Sequence, residues 1–198
     1  MIGRSCLLAL VMTLPASLAM AQAQSADAPS ASYTARVRAG MNATSHGDVA
    51  SGMRNLRDAI AENPSLPQAY CYVGEAERTR QDSTGALDAF QACLRFAREL
   101  DNPRFVAFAL HGIASTLELL PERLQDARTA WLEYVRFADQ ASSQADARIG
   151  RARIEAIDAW TTLETQTAEV RGRIAERERA ARCEMDLVCD RLGAETER

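Results

Sequence analysis

The sequence contains no lysine, and all 23 of its cationic residues are arginine. Arginine makes bidentate and stacked contacts that lysine does not make, but a GC-rich genome also favours arginine codons, and we favour this second explanation. Histidine is scarce too, with only His46 and His111 in the chain. Neither has a second histidine or a carboxylate at ligand spacing, so the sequence predicts no metal site.

Catalytic motifs are also lacking. The chain has no Gly-x-Ser-x-Gly, no phosphate-binding loop and no His-Glu-x-x-His. Its pairs of acidic residues fall on faces that we expect to be solvated helix surface. We therefore expect neither an enzyme nor a bound cofactor. The net charge of −4 argues against nucleic acid and anionic lipid as partners, because both prefer basic proteins.

Long apolar runs are confined to the N-terminus. Residues 1–23 combine Arg4, a mostly apolar segment Cys6–Met20 and a small-x-small site at residues 21–23. This pattern predicts a secretory signal peptide and not a membrane span, because the apolar run is too short. Residues 24–32 are small and polar, and predict a flexible leader. We expect an exported protein without stable membrane insertion, and export together with the arginine bias favours the periplasm of a Gram-negative bacterium.

One spacing of residue types occurs twice, 34 residues apart, beginning at Gly40 and at Gly74. Each glycine is followed after 12, 16 and 19 residues by a small, a large apolar and another small residue. The residues at these positions are Gly52, Leu56 and Ala59 in the first set, and Ala86, Phe90 and Cys93 in the second. A small residue facing a large apolar one allows two short antiparallel helices to pack closely. The sequence has no run that alternates between apolar and polar residues, so it predicts no β-strand.

A third, looser set begins at Gly112 and continues with Ala127, Trp131 and Tyr134, with three extra residues in the turn 119–122. Turns tolerate such insertions. The spacings and residue types, with Tyr70 also fitting, resemble the tetratricopeptide repeat, a 34-residue helix–turn–helix unit.

The resemblance implies an all-α fold, an α-solenoid of about three helix pairs over residues 33–141. The predicted repeats cover 33–66, 67–100 and 103–141, and a C-terminal helical cap or extension covers 142–198. We expect helices over 33–44, 49–62, 67–80 and 84–99, with Asp48 capping the second and Pro67 in the first turn of the third.

The C-terminal third is rich in arginine and glutamate, and residues 145–181 contain no proline. An apolar face with one polar member, Thr167, continues along it; the residues are Ile149, Ile154, Ile157, Trp160, Leu163, Thr167, Val170 and Ile174. A capping box at Thr161 and Glu164 would split this segment into two helices. We favour a terminal helix pair that covers the end of the solenoid; the alternative is a protruding helix that pairs with itself or with a partner.

In the family that the chain resembles, the first helix of each repeat lines a concave groove. The resemblance places nine residues there: Val37 and Met41, then Gln68, Cys71, Glu75 and Arg78, then Val106, Ala109 and Ile113. The lysines and asparagines with which some members hold a peptide carboxylate are missing. An apolar groove suits an amphipathic helix or an apolar extended segment. The alternative is that Met41, Val106 and Ile113 are buried between neighbouring repeats.

Four cysteines follow the predicted signal peptide: Cys71, Cys93, Cys183 and Cys189. An even number in an exported chain permits disulfides. We favour the pair Cys183–Cys189. This disulfide requires the helix to end near residues 184–187, because a separation of six positions on a continuous helix puts the two thiols on different faces. Cys71–Cys93 is the second choice, since the two residues lie on facing helices.

The sequence thus predicts an exported tetratricopeptide-type interaction module that binds a protein or peptide through its groove or its C-terminal helices. The alternative is a structural subunit that forms a homo-oligomer through the C-terminal helix. A thiol oxidoreductase is the third and least favoured class, because the chain has no Cys-x-x-Cys.

Overall fold

The structure, a computed structural model, describes residues 29–140, 143 and 145–196. Within this part of the chain the fold is all-α, as predicted, and no residue is in a β-strand. The helices are α1 (Ala31–Ser45), α2 (Val49–Glu62), α3 (Pro67–Thr79), α4 (Ser83–Glu99), α5 (Pro103–Leu117), α6 (Leu124–Ala138) and α7 (Ala147–Thr196). The predicted signal peptide, 1–23, lies outside the described residues, and α1 already begins within the segment 24–32 that we expected to be a flexible leader.

Polar N-caps begin four of the helices. The side chains of Ser30, Asp48, Asp82 and Asn102 accept hydrogen bonds from the backbone N–H three residues later, at 2.9 to 3.3 Å. These bonds satisfy amide groups that a helix start leaves without a partner. Pro67 occupies the first turn of α3, where its missing N–H costs nothing. The sequence-based starts of α2 and α3 are therefore confirmed.

The turns that end α1 and α3 are alike and 34 residues apart. Gly47 and Gln81 have positive φ angles of 88° and 63°. In each turn the next residue, Asp48 or Asp82, donates its backbone N–H to a carbonyl five residues earlier, at 2.9 and 3.0 Å. This is the left-handed ending that closes many helices. It turns the chain back sharply, so that the following helix packs against the one just completed.

Successive helices pack against each other along the chain. Contacts join α1 to α2, α2 to α3, and so on to α7, and further contacts join α1 to α3 and α3 to α5. Buried apolar side chains form two clusters, one between α1, α2 and α3 and the other reaching from α3 to α7. Disulfide-bonded Cys71 and Cys93 lie in the larger cluster.

Phe90 of α4 is held between two glycines. A Cβ atom at Gly74 or at Gly112 would lie 2.7 or 2.5 Å from the Phe90 ring, closer than real side chains approach. The three atoms that a Cβ at Gly112 would lie nearest all belong to the Phe90 ring, which is part of the preceding helix pair. Helices α3 and α5 therefore both approach α4 at contact distance because each lacks a side chain there.

The residues assigned to helix packing lie inside the molecule. Ten of them are buried, and Tyr70 is half-buried against Phe96, with ring centroids 5.1 Å apart. The ten are Gly40, Leu56, Ala59, Gly74, Ala86, Phe90, Cys93, Gly112, Ala127 and Trp131. Gly150, which sequence analysis overlooked, extends the pattern, because a Cβ there would lie 2.6 Å from Val135 and 2.9 Å from Tyr134. The start of α7 is thereby seated on α6.

Helix α7 is continuous, so the sequence does not divide at the possible capping box of Thr161 and Glu164. The Thr161 hydroxyl donates to the carbonyl of Ile157 within the helix and does not cap a new one. Ile157 is buried, whereas the described side chains of residues 162–182 are exposed, with Thr167 partly so. The first part of α7 covers α6, and the following part is exposed on all sides. Within the described residues, no helix is both long and apolar enough to cross a membrane.

Candidate binding cleft

The nine predicted groove residues divide into two groups. Val37, Cys71, Val106 and Ala109 are buried, so their assignment to an accessible surface is corrected. The partly exposed members are Met41, Gln68, Glu75, Arg78 and Ile113. Cys71 is buried because its thiol joins Cys93, with the two Cα atoms 5.2 Å apart. Val106 and Ala109 are buried because the face of α5 that carries them packs into the larger apolar cluster.

The disulfide Cys71–Cys93 was the second choice from sequence, and it is the one that the described residues contain. The bond links α3 to α4 within the core. The side chains of Cys183 and Cys189 lie outside the described residues, so their pairing stays a prediction. Helix α7 runs through residues 184–187 without ending, contrary to the break that this pairing requires.

An open cleft of about 560 Å³ lies where α3, α5, α6 and the start of α7 meet. Its lining residues are Glu75, Arg104, Ala107, Phe108, His111, Tyr134, Ala145 and Asp146. A neighbouring depression shares His111 and adds Arg78, Ser115, Glu118, Leu119, Trp131, Ile149 and Arg153. We call these two connected surfaces the His111 cleft. Glu75 and Arg78 are the two predicted groove residues that line it.

His111 is set edge-on between two aromatic rings. Its ring centroid is 5.2 Å from that of Trp131 and 5.9 Å from that of Tyr134. Burial lowers the pKa of His111 below its ordinary value; Glu75 opposes this shift and Arg78 adds to it. The imidazole is therefore neutral at pH 7, and it offers one hydrogen-bond donor and one acceptor beside apolar ring surface.

Charges in the His111 cleft are largely balanced within the chain. Arg78 donates to Glu75 at 2.6 Å and to the Ser115 hydroxyl at 3.4 Å. Glu118 accepts a hydrogen bond from the Trp131 indole at 3.1 Å and pairs with Arg153 of α7. The other charged lining residues, Arg104 and Asp146, have opposite signs. The lining charges therefore balance, and the cleft favours a neutral group with an apolar part over a strongly acidic one.

Sequence reasoning missed most of the cleft. Phe108 packs edge-to-face on Tyr72, with ring centroids 5.6 Å apart, and neither Phe108 nor His111 is among the predicted groove residues. The sequence predicts that α5 lines the groove with residues 106, 109 and 113, but the residues of this helix that line the cleft are 104, 107, 108, 111 and 115. The aromatic residues Phe108, His111, Trp131 and Tyr134 are the signal that could have located the cleft.

Comparison with protein-family models finds no match, and comparison with curated proteins finds none either. Within the described residues, no group of three His, Cys, Asp or Glu side chains is placed to hold a metal ion. The chemistry of the His111 cleft is therefore argued from its own side chains.

Acidification should destabilise the fold through His111. Because its pKa is lowered in the folded state, the unfolded chain binds a proton first as the pH falls below about 6.5. The free energy of unfolding, measured by urea denaturation, should fall between pH 7.5 and pH 5 by more in the wild type than in His111→Gln. His46→Gln, at an exposed turn residue, is the matched control and should follow the wild type; equal slopes for all three proteins would contradict the assignment.

Proposed function

We propose that this chain is an exported, tetratricopeptide-like α-solenoid whose His111 cleft binds a short, neutral segment of another protein. The observation that carries the proposal is the cleft itself, in which aromatic rings and internally paired charges from α3, α5, α6 and α7 line one open surface. The proposal takes up the lead interpretation of the sequence, an interaction module, and assigns it to this cleft.

The solenoid arrangement is supported by three repeated features. Gly40 lies against Leu56 as Gly74 lies against Phe90, and the left-handed turns at Gly47 and Gln81 have the same 34-residue offset. The first helices of successive pairs also contact each other, α1 with α3 and α3 with α5. Stacked helix pairs of this kind build extended binding surfaces.

The chemistry of the cleft defines the ligand. Phe108 and the edge of His111 offer apolar contact, and the imidazole offers hydrogen bonds. A charged ligand group would have to compete with the Glu75–Arg78 pair, whose members are 2.6 Å apart. An extended peptide with one aromatic or aliphatic anchor fits best, because its backbone can use the polar groups while the anchor fills the apolar part.

Export to the periplasm belongs to the same proposal. The sequence pattern of residues 1–23 supports it. The buried disulfide between Cys71 and Cys93 supports it independently, because structural disulfides persist mainly in oxidising compartments.

Peptide selection tests the cleft directly. Random twelve-residue peptides displayed on phage are selected against the wild-type chain, and the best are measured by fluorescence anisotropy. Ala107→Arg should weaken their binding at least about tenfold, because a long cationic side chain fills the cleft beside Phe108. Ala107 is half-buried in a helix, so circular dichroism of the variant checks that the fold persists.

Ala50→Arg is the matched control, because Ala50 is exposed on α2 and does not line the cleft. Its peptide affinities should equal those of the wild type. If no peptide is enriched, or if the two variants bind equally well, the proposed site is wrong.

A further inference from the structure

The exposed part of α7 carries an apolar stripe. Trp160, Leu163, Val170 and Ile174 are each 44–56% exposed. Together with Thr167 they follow one another at intervals of 3, 4, 3 and 4 residues, the spacing of the seam of a two-stranded coiled coil. We call these five residues the α7 stripe. Single exposed apolar residues are ordinary, but a continuous row on a solvent-surrounded helix indicates a missing partner.

We infer that the α7 stripe pairs with the same stripe of a second copy of this chain, with the two helices antiparallel. The inference is independent of the His111 cleft and of its ligand. It commits to one register, in which Leu163 faces Ile174 of the second copy and Thr167 faces Val170 of the second copy. A two-fold axis then passes between residues 168 and 169, and each contact occurs twice.

Charge complementarity selects this register. Glu164 and Arg171 lie seven residues apart on the same flank of the α7 stripe. In the proposed register Glu164 lies beside Arg171 of the second copy, and symmetry repeats this pair. Moving one helix by one heptad in either direction places Glu164 against its own copy or Arg171 against its own copy, and like charges repel across such flanks.

The ends of the stripe also fit the antiparallel arrangement. Trp160 faces Arg177 of the second copy, where a guanidinium can lie over the indole ring. At each end of the paired segment, Ala156 of one copy faces Ala181 of the other, and both residues are small. These four side chains are exposed.

A parallel pairing is less favourable on the same evidence. It would bring Arg177 against Arg177 of the second copy in the seam, and it would place Glu164 beside Ala159 and Arg171 beside Gln166 of the second copy. Glu164 and Arg171 would then lose their partners, whereas Arg173 would gain Glu178 of the second copy. The antiparallel arrangement is preferred because it keeps the two Arg177 side chains apart in the seam. A parallel pair would also bring both helical bodies to the same end, because each body is attached at the start of α7.

Sedimentation equilibrium on the full chain tests the association. The mean mass should rise towards twice the monomer mass between about 1 and 300 µM, since a seam of four large apolar residues per copy forms a dimer that dissociates on dilution. Leu163→Glu should remove the dimer. Ala168→Glu, on the outer face of the same helix, is the matched control and should associate like the wild type.

A charge swap tests the direction and the register. Glu164→Arg alone and Arg171→Glu alone should each raise the dissociation constant about tenfold, because two attractive pairs become repulsive. The double variant should return to within about threefold of the wild type. A parallel coil predicts this rescue instead for Arg173→Glu with Glu178→Arg, and that result would overturn the antiparallel register.

Two further outcomes would overturn the pairing itself. One is a wild-type chain that stays monomeric over the whole concentration range. The other is a monomer that co-sediments with vesicles of anionic phospholipid and loses this binding in Leu163→Glu, since the α7 stripe would then be a membrane-surface helix.

Discussion

Replacing Phe90 with alanine is expected to lower the free energy of unfolding by about 3–5 kcal/mol. The ring is fully buried, and it is the surface against which Gly74 of α3 and Gly112 of α5 both pack. Removing it opens a cavity between the helices, and neither glycine has a side chain that could fill it. Two of the helix contacts, α3 with α4 and α4 with α5, are therefore weakened by one substitution.

Phe90→Asp should have a larger effect and leave no cooperative unfolding transition, because an unpaired carboxylate would be buried between three helices. Thermal and urea denaturation followed by circular dichroism measure both variants. Phe96→Ala is the matched control, since Phe96 is only half-buried and packs against Tyr70; its loss should be clearly smaller than that of Phe90→Ala. If Phe90→Ala melts like the wild type, the packing of α4 described above is wrong.

Removing the disulfide should have the second largest effect. Replacing both Cys71 and Cys93 with alanine is expected to lower the free energy of unfolding by about 3 kcal/mol, because the bond closes a loop with a sequence separation of 22 residues and so restricts the unfolded chain. Urea denaturation of the wild type and of the double variant, under oxidising conditions, measures the difference.

Reductant provides the control for this prediction. It should destabilise the wild type once the chain opens enough to expose the bond, and it should leave the stability of the double variant unchanged. Native wild-type chain should also resist alkylation at Cys71 and Cys93, because both are buried. Equal stability of the two proteins, or rapid alkylation of either thiol without denaturant, would contradict the pairing.

The positions of the helices were largely predictable because they depend on local rules. The predicted range of α2, 49–62, equals the observed one, and α3 and α4 differ from their predicted ranges by one residue each. Asp48, Asp82 and Pro67 mark helix starts through their own side chains. The small residues at Gly74 and Gly112 identified close helix contacts correctly, although only the structure showed that the two glycines contact the same ring.

Local rules did not predict which face of a helix would remain accessible. On α5 the predicted lining stepped through Val106 and Ala109, which are buried, whereas Phe108 and His111 line the cleft. The apolar character of a residue does not distinguish a buried face from a binding surface when neighbours cover α5 on several sides. Which face of α5 stays accessible depends on the positions of α4, α6 and the start of α7 around this helix.

The sequence by itself determined the helical class, the helix boundaries and the glycine positions at which helices meet, because each depends on residues close together in the chain or on the size of one side chain. Only the tertiary structure decided that Cys71 and Cys93 are joined, that His111 lies at an open cleft, and that α7 passes Thr161 without a break. These outcomes depend on which surfaces neighbouring helices cover, and burial is a property of the whole packed chain.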